Sequence, residues 1–255
     1  MLLKGKIALI TGATAGIGES CAKFFAREGC NLIITGRRIE RLENIKNQLV
    51  KNYGIECYAK KLDVTNFKEV KDLIDNLPTD FKDIDILINN AGKALGLDKI
   101  QDGNIDDWEE MIDTNIKGIL YTTRLIAPKM IERNSGFIVN ISSIAGRAAY
   151  PKGNVYCATK AAAKTLSEAM AIDMNGTGVR ICNIDPGLTE TEFSLVRFKG
   201  DSERAKQTYQ NITALTGDDI AEIILFVVTR PPHVMIQDIM VTPTDQANAF
   251  VITRK

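Results

Sequence analysis

The sequence predicts an α/β fold: a single domain over residues 1–255 in which a doubly wound, parallel, seven-stranded sheet carries helices on both faces. Three observations predict it. Short apolar runs rich in β-branched residues alternate with longer stretches of 3.6-residue periodicity, the pattern of repeated βαβ units. The 255 residues suffice for one large core, given about 150 residues for an average domain. No internal repeat, charge block or linker divides the chain.

Strands are expected near residues 6–11, 31–35, 56–60, 84–88, 136–141, 180–184 and 236–241. Helices are expected over 17–28, 38–51, 68–76, 108–132, 155–174 and 218–229, the last opening with Asp218 and Asp219, whose charge suits the helix dipole. Residues 188–214 show no clean strand and only weak helical pattern around 202–211. Long loops in compact α/β domains are functional or disordered, and ligands bind beyond the C-terminal ends of such strands. This segment is therefore a candidate substrate lid.

Composition narrows the function classes. Hydrophobic residues at 45% and charged residues at 25% are ordinary globular usage. Lys plus Arg balances Asp plus Glu at 32 each, which argues against a nucleic-acid partner. Cys21, Cys30, Cys57, Cys157 and Cys182 are scattered without a C-x-x-C pair, and His233 is the one histidine. Neither a disulfide framework nor a metal site is expected. Met1-Leu2-Leu3-Lys4-Gly5-Lys6 lacks a signal-peptide core, and no run approaches the roughly 18 apolar residues of a membrane span. The expected setting is soluble, reducing and cytoplasmic, with no membrane partner.

The run Ile7-Ala8-Leu9-Ile10 leads into Thr11-Gly12-Ala13-Thr14-Ala15-Gly16-Ile17-Gly18, a glycine-rich turn between the first strand and the first helix. There Gly12 makes the tight turn, Gly16 lets the backbone approach a pyrophosphate, and Gly18 allows close helix packing, while the helix N-terminus offers unpaired N–H donors. A glycine triplet alone also fits a surface loop; the strand before it and the helix after it favour a dinucleotide site. The second strand ends Thr35-Gly36-Arg37-Arg38, with no carboxylate where an NAD site carries one for the ribose. Guanidinium suits a phosphate monoester of about −1.5 to −2 charges, so NADP is favoured over NAD. The other reading leaves Arg37 and Arg38 as solvated charges near Glu40 or Glu43. Asp63-Val64 either holds the adenine edge or caps a turn, and Asn89-Asn90-Ala91-Gly92 either lets a ribose lie against the backbone or forms a structural turn.

Tyr156 and Lys160 lie four apart in a helical segment and share one face. Ionising a phenol of pKa about 10 at pH 7 takes roughly 4 kcal/mol, and one positive charge at about 4 Å returns a similar amount at an effective dielectric of about 20. Lys160 beside Tyr156 would make the phenol a usable proton acceptor, although such a pair is also common on helix surfaces. Ser143 ends the fifth strand, thirteen residues before Tyr156, and its hydroxyl can hydrogen-bond a substrate oxygen. Ser142 and Ser143 can equally cap the strand end.

Thr11-Gly12-x-x-x-Gly16-x-Gly18, Asn89-Asn90-Ala91-Gly92, Ser143, Tyr156-x-x-x-Lys160 and Pro186-Gly187 stand in the order of the short-chain dehydrogenase/reductase family, which the chain resembles over nearly its whole length. The resemblance implies a Rossmann-type fold, a small-molecule substrate and a catalytic set of Asn115, Ser143, Tyr156 and Lys160. Tyr156 would be the acid/base, and Ser143 would orient and polarise the substrate oxygen. Lys160 would lower the phenol pKa and bind the nicotinamide ribose. Asn115, in Asp113-Thr114-Asn115-Ile116-Lys117-Gly118, would support a water-linked proton relay. The expected cofactor contacts are Gly12, Thr14, Gly16, Ile17, Gly18, Arg37, Arg38, Asp63, Val64, Asn90, Ala91, Gly92, Tyr156, Lys160, Pro186, Gly187, Thr189 and Thr191. A homotetramer built on the helices at 108–132 and 155–174 is also implied, with residues 243–255 as a tail that reaches a neighbouring subunit or is disordered.

Thr35-Gly36-Arg37-Arg38, Gly153-Asn154-Val155-Tyr156, Asp185-Pro186-Gly187-Leu188 and the run from Glu192 to Asp201 resemble a narrower group, the NADP-dependent 3-hydroxy acid dehydrogenases of serine and allo-threonine. A small substrate with a carboxylate needs a cation, and Arg197, Lys199 and Arg147 are the candidates. The alternatives within the family are a 3-oxoacyl carrier-protein reductase and a sugar, polyol or steroid dehydrogenase, because loops and not the fold set the substrate. An NADP-binding regulatory protein without chemistry is the alternative of another class.

Overall fold

The computed structural model describes residues 1–255. In chain order the elements are β1 (Ile7–Ile10), α1 (Gly16–Arg27), β2 (Asn31–Gly36), α2 (Ile39–Tyr53), β3 (Cys57–Lys61), α3 (Phe67–Asp75), β4 (Ile86–Asn89), α4 (Ile105–Ile112), α5 (Gly118–Glu132), β5 (Gly136–Ile141), α6 (Asn154–Asp173), β6 (Val179–Pro186), α7 (Phe193–Arg197), α8 (Ser202–Tyr209), α9 (Gly217–Val228) and β7 (Asp238–Val241). The seven strands form one parallel sheet in the order β3-β2-β1-β4-β5-β6-β7. The order reverses between β1 and β4, and a crevice opens there beyond the strand ends.

The apolar strand runs are explained by burial on both faces. Along β1 and β2, Ala8, Ile10, Leu32 and Ile34 point into one layer with Phe25 of α1, Leu42 of α2 and Ile224 of α9. Leu9 and Ile33 point to the other face, against Val70 of α3, Ile126 of α5 and Ala163 of α6. The period-2 alternation of side chains thus assigns each helix its face. Asn66 caps α3 by accepting from the N–H groups of Lys68 and Glu69, and Thr216 with Asp219 forms a capping box at α9. Asp219 therefore accepts from the Thr216 N–H and hydroxyl as well as suiting the dipole.

Three expectations are corrected. The helix expected over 108–132 is interrupted: α4 ends at Ile112, a π-helical turn spans Asp113–Lys117, and α5 follows. The chain stays helical through the π turn, so the sequence pattern shows no break there. The five residues of α7 are too few for a periodic signal. The C-terminal residues are not disordered. Gln246 Oε1 accepts from the Leu188 N–H at 2.8 Å, the Lys255 N–H donates to the Asn211 carbonyl at 2.9 Å, and Arg254 Nη2 donates to the Thr208 carbonyl at 3.2 Å. The tail folds back over its own lid.

Candidate active site

The crevice at the C-terminal strand ends encloses a cavity of about 590 Å3 between the glycine turn, the ends of β4 and β5, and the segment from Gly187 to Tyr209. Its floor is set by close backbone approach. Gly12 has φ +68°, and a Cβ there would lie 2.9 Å from Ala91 Cα. A Cβ on Gly18 would meet Asn90 Nδ2 at 2.4 Å and the Gly12 carbonyl oxygen at 2.5 Å. The Asn90 amide donates to the Thr11 and Gly12 carbonyls at 2.9 and 3.1 Å. Thr11 Oγ1 accepts from the N–H groups of Asn90 and Ala91 at 3.1 and 3.0 Å. Asn90 thus struts the glycine turn, and Ala91 and Gly92 face the cavity. Helix α1 starts at Gly16 with Ala15 as its N-cap and no side-chain cap, so its first N–H groups keep their donor capacity.

At the far end the two adjacent arginines differ. Arg37 lines the cavity and forms no hydrogen bond or ion pair. Arg38 donates from Nε and Nη2 to Thr14 Oγ1 at 3.2 and 2.7 Å and from Nη1 to Glu192 Oε2 at 2.7 Å. Asp63 serves both readings at once. Its Oδ1 closes a turn by accepting from the Thr65 N–H and hydroxyl at 3.0 and 2.8 Å, while its residue lines the cavity beside Val64. Burial pushes the Asp63 carboxyl up, but the bonds from Thr65 and the charge of Arg37 outweigh it and hold the group below its usual value.

At the reacting end, β5 delivers Ser143 and α6 presents Tyr156 and Lys160. Ser143 caps a short 3-10 turn at Ile144–Gly146, accepting from the Ala145 N–H at 3.1 Å. Its hydroxyl faces the Tyr156 phenol and favours the ionised form. Lys160 Nζ donates to the Ile141 carbonyl at 2.8 Å. The π-helical turn aims Asn115 inward: its Oδ1 accepts from the Lys93 N–H at 2.9 Å, and its Nδ2 donates to the Lys93 carbonyl at 2.8 Å and to Thr159 Oγ1 at 3.0 Å. Asn115 and Lys160 converge on Gly92, where a Cβ would lie 3.3 Å from Asn115 Oδ1 and 3.2 Å from Lys160 Nζ.

The electrostatics differ from the sequence expectation. Burial pushes the Tyr156 phenol well above its ordinary value, reinforced by Tyr150; Ser143 and Arg197 oppose the shift, and Lys160 is not among its causes. The Lys160 ammonium sits 6.0 Å from the Tyr156 ring centre. Its own burial lowers it to about 8, against the opposing charge of Asp185. Desolvation therefore works against the ionised phenol, and no attraction from Lys160 offsets it.

The three candidate carboxylate binders separate cleanly. The Arg197 guanidinium lies 5.5 Å from the Tyr156 ring centre and 5.6 Å from that of Tyr150, and its Nε donates to the Gly96 carbonyl at 3.1 Å. No carboxylate pairs with it. Lys199 points out of the cavity and pairs with Asp107 at 2.9 Å. Arg147 is spent on Asp185 and Asp238, linking the Ser143 turn to β6 and β7. Both are corrections, with one reason: opposite charges close in space but remote in sequence claim these cations. Thr14, Gly16, Ile17, Pro186, Gly187, Thr189 and Thr191 line the same cavity. Gly18 acts beneath the wall. Residues not anticipated are Tyr150, Phe193, whose ring stands 5.7 Å from that of Tyr156, Glu192, and Arg254 of the folded-back tail. Phe193 and Glu192 had a signal in their place on the lid, whereas the tail offered none.

These residues fit the dinucleotide that the sequence predicts: an uncapped helix start for a pyrophosphate, an unpaired Arg37 for a 2′-phosphate, and Lys160 beside a glycine that leaves room for a ribose. A model of the short chain dehydrogenase family matches residues 6–201. The chain is 48% identical over 244 residues to the NADP-dependent 3-hydroxy acid dehydrogenase YdfG of Salmonella typhi, covering 95% of this chain and 97% of that protein. It is 46% identical over 254 residues to the NADP-dependent 3-hydroxy acid dehydrogenase of Schizosaccharomyces pombe, covering 99% and 98%. The solved closed form of serine dehydrogenase complexed with NADP+ superposes with a TM-score of 0.92 at 46% identity, covering 98% of this chain and 99% of that one. Motif order, site geometry and near full-length similarity agree, and the chain belongs to the short-chain dehydrogenase/reductase family.

Proposed function

We propose that this protein is an NADP-dependent dehydrogenase that interconverts a small 3-hydroxy acid, such as serine or allo-threonine, with the corresponding carbonyl compound. The observation that carries the reading is the unpaired Arg197 guanidinium over the Tyr156 ring, in a cavity whose other end presents Arg37. A carboxylate on Arg197 would bring the C3 carbinol, one carbon beyond its neighbour, to the phenol. The names of the 46–48% identical relatives support the same cofactor and substrate class.

Bound NADP(H) supplies the hydride donor or acceptor. The protein manages the proton and the geometry. Ser143 Oγ hydrogen-bonds the substrate oxygen, and Tyr156, whose protonated form burial favours, donates from Oη to the developing alkoxide in reduction. In oxidation the Tyr156 phenolate takes the hydroxyl proton, and positive charge brought close to the ring makes that form accessible. Lys160, beside Gly92, would hold the nicotinamide ribose, and Asn115 holds the Lys93 backbone and Thr159 so that this wall stays fixed.

The five buried, unpaired thiols support a reducing cytoplasmic setting, and exposed Leu120 and Ile131 on α5 and Ile172 on α6 support a homotetramer built on those helices. No helix is long and apolar enough to cross a membrane. The test is a spectrophotometric screen of serine, the threonine isomers, other 3-hydroxy acids, sugars and steroids with NADP+ and NAD+. Turnover confined to NADP+ and small hydroxy acids is the expected result. Preference for neutral alcohols would overturn the substrate class, and absence of turnover would leave an NADP-binding protein without chemistry.

A further inference from the structure

One short helix spans the cleft from its adenosine end to its reacting end. At its N-cap, Glu192 accepts from Arg38 Nη1 at 2.7 Å through Oε2 and from Arg41 Nη1 at 2.6 Å through Oε1. At its last residue, Arg197 exchanges two hydrogen bonds with Gly96, the Gly96 N–H to the Arg197 carbonyl at 3.1 Å and Arg197 Nε to the Gly96 carbonyl at 3.1 Å. Between them the helix is one continuous turn, with the Val196 N–H on the Glu192 carbonyl at 3.0 Å. Arg41 lies outside the cavity wall, so its contact with the site runs through Glu192 alone.

The charge pattern explains why that contact forms. Arg37, Arg38 and Arg41 crowd the start of α2, where the helix dipole is already positive and like charges repel. Glu192 is the carboxylate that neutralises two of them, and it comes from 151 residues away in the chain. Burial raises the Glu192 carboxyl, but its bonds to Arg41 and Arg38 prevail and hold it below its usual value.

We propose that Glu192 and Arg41 form a clasp that sets the position of Arg197, with Arg41 acting as a positioning residue for recognition of the substrate carboxylate. Fastening Glu192 on α2 fixes one end of the helix, and a helix of one turn transmits that constraint to its other end. The inference rests on Arg197 being the carboxylate reader.

The experiment compares Arg41→Met and Glu192→Gln with the unmodified enzyme on a 3-hydroxy acid and on its methyl ester. Exposed ion pairs are individually weak, so the expected rise in KM for the acid is about 2- to 5-fold in each variant. For Arg41→Met, kcat and the NADPH dissociation constant, read by fluorescence, stay within about twofold. KM for the ester does not move, and in an Arg197→Met background Arg41→Met has no further effect. A general loosening of the lid would raise both KM values and add to Arg197→Met, and that result overturns the proposal. A second readout uses the protein without cofactor or substrate: trypsin cleavage after Arg197 and Lys199 is expected to quicken about 2- to 5-fold in Arg41→Met, following the open population. An unchanged rate, or an unchanged KM for an acid that the wild type distinguishes from its ester, also overturns it. If the wild type does not distinguish them, the carboxylate reading fails, while the cleavage rates still decide whether the clasp holds the lid.

Discussion

Arg197 stands 5.5 Å from the centre of the Tyr156 ring with no carboxylate of the protein to neutralise it. A cation left unpaired beside the proton donor, in the wall of the cavity, is placed to hold an anion. Arg197→Met is expected to raise KM for a 3-hydroxy acid by about 10- to 100-fold, the range for losing a hydrogen bond to a charged group. The ester should suffer little. Steady-state kinetics on the pair checks this, and equal losses on both substrates would count against the assignment.

Tyr156→Phe removes the one buried proton carrier that faces Ser143. Turnover is expected to fall by about 100- to 10,000-fold, while NADPH binding, followed by fluorescence, changes by less than about threefold. Near-normal turnover would refute the acid/base role.

The adjacent arginines should not contribute equally. Arg38 already donates to Thr14 and Glu192, whereas Arg37 has all its donors free. Arg37→Ala is therefore expected to raise KM for NADP+ by about 10-fold or more, consistent with a charge-assisted contact, and to leave KM for NAD+ unchanged. Arg38→Ala should discriminate less. Parallel titrations with both cofactors measure the contrast.

Lys160 carries a stability signature that can be read by pH. Burial lowers its ammonium from 10.5 to about 8 in the folded chain, with Asp185 opposing. Below pH 8 the group is charged in both states and the folded protein bears the full desolvation penalty. Between about 8 and 10.5 the unfolded chain binds the extra proton, so this residue's contribution shifts toward stabilisation as pH rises. Urea unfolding of wild type and Lys160→Met at pH 7 and pH 10 is expected to show the balance moving toward the wild type at the higher pH. A pH-independent difference would mean an amine with its ordinary affinity for protons. Activity of the variant should fall about 100-fold or more at either pH.

The amino-acid sequence by itself determined the strand and helix alternation, the glycine turn, and the pairing of Tyr156 with Lys160 on one helix face. Each of these is local: apolar periodicity reports burial directly, and side chains four apart on a helix share a face wherever the helix lies. Ser143, thirteen residues before Tyr156, was assigned its role only through the family resemblance. The run 136–141 was legible to the residue because both its faces are buried. Only the tertiary structure decided which cations remain free. Arg147 and Lys199 are taken by Asp185, Asp238 and Asp107, and Arg38 by Glu192, partners that lie between 38 and 154 residues away. The upward shift of the Tyr156 phenol was decided the same way, because desolvation depends on everything packed around a group, while the sequence near it displays only the charge four residues on.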